Sequence, residues 1–177
     1  MREDRPKDPV LAPCAAVSNI FTDTAHMFQS VLIVCHANVC RSPVAEMLFR
    51  AHSARMVNKH ARRGIEFGSA GLFAQEGRAI DTTMSRLLME RDVDSSGHAA
   101  RQLDRAMARA VDLILVPERK HITAIEEMEP VTRGKVHLLG KWEDSEVIDP
   151  YGRHESAYRE SFGLIERLVQ GWLNKIW

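Results

Sequence analysis

At 177 residues, 45% hydrophobic and 27% charged, the chain is long enough for one domain with a sizeable core and too mixed in composition for a fibrous or wholly disordered protein. The 24 Lys and Arg balance the 24 Asp and Glu, which leaves no global field to attract nucleic acid or an anionic membrane surface. Its apolar runs are too short to span a bilayer and its 3 cysteines make no disulfide framework, so no membrane insertion and a reducing compartment, by default the cytoplasm, are expected.

Residues 1–26 carry charges of both signs, Pro6, Pro9 and Pro13, and no sustained periodicity, the pattern of a flexible or disordered extension. Val10-Leu11-Ala12-Pro13-Cys14 has the outline of a lipoprotein signal, but Glu3 and Asp4 spoil the basic region and Pro13 interrupts the apolar stretch. Export is not expected. Met27 immediately precedes the first structured run, so the folded domain is expected over 27–177, with Met27 a candidate start.

Val31-Leu32-Ile33-Val34 is too short for a helix and shaped like a buried parallel strand ending at Cys35. Helical signals follow: Ser42 as N-cap, Pro43 at the first helical position, then Val44, Met47, Leu48 and Ala51 on one face. Between them, Cys35-His36-Ala37-Asn38-Val39-Cys40-Arg41 forms a short loop whose backbone N–H groups are expected to point inward at the positive end of the helix dipole. Converging dipoles and Arg41 favour the thiolate of Cys35, a nucleophile, while Arg41 offers a planar fork matched to two phosphate oxygens. The predicted ligand is a phosphate monoester, attacked in line by Cys35 to give a cysteinyl phosphate. A bare C-x5-R-S match would leave Cys35 and Cys40 as ordinary small hydrophobes; its place between a strand and a Pro-started helix favours catalysis. Cys40 also lies where it could capture an oxidised Cys35 as a regulatory disulfide, against the alternative that it only packs.

The run from Cys35 to Glu46 resembles the signature of the low molecular weight protein tyrosine phosphatases, C-x-G-N-x-C-R-S-P-x-A-E. Ala37 departs from it, standing where the family has glycine; if only a small residue is needed there, little changes. The resemblance implies a Ser69–Asn38 hydrogen bond bracing the loop, an apolar wall at Leu72 and Phe73, and a hydrogen bond from Ser42 to the leaving thiolate.

Downstream, residues 61–64 are a basic, Gly-ended break, and 65–71 read as a second strand running into a turn, where Ser69 alone would pass for a turn former. Ile80, Met84, Leu87 and Leu88 mark a helix whose apolar side is core. His98 to Leu103 resembles a family block taken as structural. Ala110 to Val116 is the third strand, closed by Pro117, with Asp112 a local cap or pair; Glu118 to Glu129 is a polar helix ended by Pro130; Val136 to Leu139 is the fourth strand. His121 and His137 read as surface or satisfied structural residues, and no cluster at ligand spacing suggests a metal or other cofactor.

Asp149-Pro150-Tyr151 offers a carboxyl group on a stiff turn, able to protonate a departing phenoxide and then to activate water. Asp before Pro is also a common turn starter; the family's D-P-aromatic motif near the C-terminus favours Asp149 as acid and base, with Tyr151 as an opposite aromatic wall. Tyr158, Phe162, Ile165, Val169, Trp172 and Ile176 make a final amphipathic helix from Arg153 to Trp177, with Trp177 at its exposed end.

Alternating strands and helices imply a three-layer α/β/α fold with a four-stranded parallel sheet, order 2-1-3-4, and the phosphate loop after strand 1. The expected function is phosphotyrosine hydrolysis without metal. The resemblance further implies the bacterial exopolysaccharide or capsule branch, with a phosphotyrosine protein, such as an autophosphorylating tyrosine kinase, as substrate. Arsenate reductases of this fold use further downstream cysteines, and none follows Cys40. Phosphoarginine phosphatases favour a small polar residue where Val39 stands. A non-hydrolysing phosphotyrosine-binding module is the rival from another class.

Overall fold

The computed structural model describes residues 28–60 and 64–176, with side chains for all of these but 56–60. Cys14, Met27, the 1–26 extension, the basic break at 61–63 and Trp177 lie outside the described residues. Four strands, β1 (Ser30–Cys35), β2 (Glu66–Gly71), β3 (Leu113–Val116) and β4 (Val136–Leu138), form a parallel sheet in the order β2-β1-β3-β4. Six helices accompany it: α1 (Arg41–His60), α2 (Thr82–Met89), α3 (Arg105–Ala110), α4 (Arg119–Met128), the 3-10 turn Pro130–Thr132 and α5 (Glu155–Ile176). The sheet order is the expected one. α3 was not anticipated; its six residues, capped by Asp104, separate a shorter β3 from the expected start at Ala110.

The central strands are apolar on both faces because each face meets helices. Val31, Ile33, Leu113 and Leu115 pack in one cluster with α1, α2 and α5, while Leu32, Val34, Ile114 and Val116 pack in a second with Ala108 of α3 and Ile125 of α4. This period-2 division sends alternate side chains of a continuous apolar run to opposite layers. α5 docks through Phe162, Ile165 and Val169 and is pinned by Trp172, whose indole N–H donates to Leu139 O at 2.7 Å. Asp112 does more than pair locally: its Oδ2 accepts from the Gln29 and Ser30 N–H groups and the Ser30 hydroxyl, tying the approach to β3 to the start of its neighbour β1. His121 departs from expectation, since it is 2% exposed and neither ring nitrogen has a hydrogen-bond partner.

Strand β1 ends in the middle of the sheet, so its loop opens at the carboxyl edge where chain connections diverge to the two sides. β2 braces that loop by close approach: a Cβ on Gly71 would lie 2.8 Å from His36 O, 3.0 Å from Asn38 N and 3.1 Å from the Ala37 carbonyl carbon. Gly71→Ala is expected to destabilise the protein by about 1–3 kcal/mol, the usual cost of overpacking against backbone. Urea unfolding measures it; an unchanged midpoint would show that the loop yields freely.

Candidate active site

Every carbonyl from Cys35 to Cys40 is turned away from the loop's interior and engaged. Leu72 N donates to Cys35 O, Phe73 N to His36 O, Gln75 N to Ala37 O, Asp81 N to Val39 O and Val44 N to Cys40 O, at 2.8 to 3.3 Å. His98 Nε2 lies 2.9 Å from Asn38 O. Among the described residues, none of the N–H groups from His36 to Cys40 meets a protein acceptor. A run of outward carbonyls with unspent amide donors between them, at the N-terminus of α1, is an anion cradle.

The turn depends on Asn38, which is buried and adopts φ 58°. Ala37 is not among the residues with positive φ, so the left-handed conformation falls on the residue type that best tolerates it outside glycine. Asn38 Nδ2 donates to Ser42 Oγ and Ser69 Oγ, both at 2.9 Å, and its Oδ1 accepts from Arg101 N at 2.9 Å. The Ser69 hydroxyl donates onward to Glu46 Oε2 at 2.5 Å. Ser69 and Asn38 thus meet as anticipated; Glu46, His98 and Arg101 complete a brace whose detail sequence reading did not supply.

The Cys35 thiol is buried, with Sγ 2.9 Å from Ser42 Oγ. Ser42 therefore does not serve as an N-cap; α1 begins one residue earlier, at Arg41, and its hydroxyl faces the thiol, Asn38 and Ala70 O. Cys40 is also buried, and burial followed by the nearby Asp81 and Asp149 carboxylates pushes its thiol strongly upward, so it stays protonated.

Arg41 is 2% exposed and held by two acidic groups. One edge, NH1, donates to Glu118 Oε1 and to Val147 O at 3.0 Å, while NH2 donates to Asp149 Oδ2 at 2.6 Å. Its Nε has no partner. Glu118 caps no N–H of α4; burial works against its ionised form, but hydrogen bonds from Lys120 and Arg41 prevail and hold its carboxyl below the usual range. Sequence reading missed Glu118, although a carboxylate just beyond the end of β3, at the carboxyl edge of a parallel sheet, is a recognisable signal.

A cavity of about 90 Å³ is lined by Cys35, His36, Ala37, Val39, Cys40 and Arg41, and closed by Gln75, Asp149 and Tyr151. Tyr151 is half exposed at its mouth, and Phe73, 70% exposed, tilts against the His36 ring at 5.1 Å. Leu72 does not join this wall: it packs on the second core cluster, because alternation at the end of β2 turns it to the opposite layer. Gln75 is an unanticipated lining residue.

A family model described as low molecular weight phosphotyrosine protein phosphatase matches residues 30–177. The chain belongs to that family. It is a phosphatase, and hence a hydrolase. The phosphatase is 38% identical over 147 residues to the low molecular weight protein-tyrosine-phosphatase Wzb of Escherichia coli K12, covering 82% of this chain and 94% of that one. The crystal structure of the Erwinia amylovora tyrosine phosphatase AmsI aligns with TM-score 0.75 at 38% identity, over 85% of this chain and 94% of AmsI. Wzb from E. coli K30, solved in complex with sulphate, aligns with TM-score 0.76 at 32% identity, over 85% and 100%.

Because the positive φ sits on Asn38, Ala37→Gly should relieve no strain. The expected outcome is a stability loss of about 0.5–1 kcal/mol through a more flexible unfolded chain, with little change in turnover. A gain of several orders of magnitude in steady-state turnover would show the cradle to be strained at Ala37.

Proposed function

We propose that the enzyme hydrolyses phosphotyrosine in proteins through a cysteinyl-phosphate intermediate on Cys35. The observation that carries this reading is the cradle, with every carbonyl from Cys35 to Cys40 turned outward and the N–H groups of His36 to Cys40 unspent around a buried thiol. Three phosphoryl oxygens need donors on all sides, and fixed amides supply them without reorganisation.

Arg41 completes the cradle with the edge that is not anchored. Glu118 and Val147 O fix NH1, which leaves the unpartnered Nε and the NH2 group as a fork for two phosphate oxygens. Asp149 holds NH2. An arriving dianion takes that position and releases Asp149 toward the ester oxygen. Once the carboxylate has left Arg41, the proton of the Cys35 thiol passes to Asp149 through solvent; Cys35 Sγ then attacks phosphorus in line, the S–P bond forms as the P–O bond to the aryl group breaks, and Asp149 gives that proton to the departing phenolate. In the second step Asp149 takes a proton from water, the water oxygen bonds to phosphorus, and the S–P bond breaks. The returning thiolate accepts a hydrogen bond from Ser42, and phosphate leaves.

The dimensions favour an aryl ester. Cys35 is 3% exposed at the base of the cavity, so a seryl ester on its short stem would bring the peptide backbone against the rim. A tyrosyl ring spans that depth between Tyr151, Phe73 and His36. Val39, apolar and buried in the lining, offers no acceptor to a phosphoarginine guanidinium, and the Asp149–Arg41 contact argues for a turning-over enzyme over a passive binding module.

We further read residues 27–177 as the phosphatase domain, working in the cytoplasm on a phosphotyrosine protein, an autophosphorylating tyrosine kinase of exopolysaccharide or capsule assembly being the substrate class. Likeness to Wzb and AmsI supports this branch. Among the described residues no helix is long and apolar enough to cross a membrane.

Steady-state hydrolysis with reductant and chelator present tests the reading: a phosphotyrosine peptide should turn over, phosphoserine and phosphoarginine peptides should not, and Cys35→Ser should be inert. Equal turnover of phosphoarginine would overturn the assignment. Asp149→Asn should lower kcat by about 10²–10⁴-fold on a phenol-like leaving group, the usual worth of general acid catalysis, and by less on an activated aryl phosphate. A uniform loss across leaving groups would remove Asp149 from the proton transfer.

A further inference from the structure

Buried polar atoms without partners are costly, and His121 has two of them. Both Nδ1 and Nε2 are unpartnered in a side chain 2% exposed. An apolar residue of similar volume would fill the site at lower cost, so the choice of imidazole calls for a role. Its Nε2 lies 3.8 Å from Glu118 Oε1, the same oxygen that receives Arg41 NH1. That separation is too long for a hydrogen bond and within reach of one after a small shift of the carboxylate.

We infer that His121 is a positioning residue, which donates Nε2–H to Glu118 Oε1 as Arg41 turns to phosphate and so keeps the carboxylate fixed behind the guanidinium. The inference rests on Arg41 being the phosphate clamp. When a dianion draws the fork forward, the NH1–Glu118 contact lengthens; a second donor on the same oxygen prevents the part-buried carboxylate from following its cation or turning out toward Lys120, which already holds Oε2 at 2.7 Å. The carboxylate's shift is thereby confined to the reach of Nε2, and the guanidinium returns to one geometry.

A donor of this kind must stay uncharged, since an imidazolium would repel Arg41 and compete for Glu118. The groups acting on the ring are Arg41 on α1, Glu118 and Lys120 at the start of α4, and His36 in the cradle; burial first, then Arg41, brings His121 from 6.5 down to about 4. The unfolded chain binds the proton through that window and the folded one does not, so this group's contribution to stability is complete above pH 6.5 and is lost as pH falls toward 4.

Two amide substitutions separate position from polarity, because Gln places its nitrogen near the site of Nε2 and Asn near that of Nδ1. The expected result is that His121→Asn weakens inhibition by inorganic phosphate and raises KM for a phosphotyrosine peptide by about 5–10-fold, the worth of one hydrogen bond, whereas His121→Gln stays near wild type. In a Glu118→Ala background the difference between them should vanish, the signature of a shared interaction. Equal phosphate inhibition in the two single variants, or a difference that persists without Glu118, would overturn the inference. Wild-type protein gives an independent reading should a variant not fold: the ¹⁵N resonance of His121 Nε2 should report a protonated nitrogen whose shift moves on adding phosphate, and an unprotonated or unmoved Nε2 counts against the role. Arg41→Ala tells the two levels apart. Retained phosphate binding there would defeat the clamp reading itself, while its loss alongside indifferent His121 variants would defeat only the positioning role.

Discussion

The structure depends on one inverted peptide turn. A chain leaving a buried strand and entering a helix ordinarily divides its polar groups between the two ladders; here the loop from Cys35 to Cys40 is pulled outward by its carbonyls, each held by a different piece of the fold. The turn at Asn38 permits this at φ 58°, and the same residue's amide then bridges Ser42, Ser69 and Arg101. Shape and bracing come from a single side chain. Removing the bracing would let the loop relax its carbonyls back inward, and the donors would no longer converge.

Electrostatic balance follows from that geometry. A cradle of amide dipoles with a buried guanidinium would be strongly positive if left alone, and the fold answers with Glu118 and Asp149 on opposite edges of Arg41. The two carboxylates differ in surroundings: the side chain of Glu118 is 14% exposed, that of Asp149 41%. The deeper, part-buried partner makes the ion pair that is more costly to break, and the exposed one makes the weaker. Division of labour between two acids thus follows from their depth.

Much of this was legible in the sequence. The run at Val31 to Val34, the Pro43 helix start and the last helix carried their periodicities openly, because both faces of β1 and the inner face of α5 are buried against apolar neighbours. The placement of Cys35 and Arg41 at one loop was legible because the strand-to-helix turn that carries them has a pattern of its own. Glu118 and His121 were not, since two polar residues near a helix start look like solvated surface until the third dimension shows Arg41 beside them. Leu72 was misplaced for a similar reason: adjacency to the cradle in sequence says nothing of which layer an alternating strand sends a side chain to. α3 escaped because Arg105–Ala110 is too short for a helical period to emerge, its capping Asp104 being the only local sign.

Apolar and polar interiors are segregated along this sheet. The two apolar clusters occupy its flanks, while Asn38, Arg41, Ser42, Glu46, Ser69 and His121 are buried together at the end where β1 opens. Such a group would be a weak point if its members could exchange partners, because a low-dielectric surrounding magnifies every misplaced charge. Exchange is restrained, since their partners sit on separate elements: Glu46 on α1, Ser69 on β2, Glu118 at the head of α4, and Val147 on the loop before α5. Rigidity at the site is therefore borrowed largely from apolar packing beyond the cavity. The same arrangement holds the donors around a cavity of only about 90 Å³.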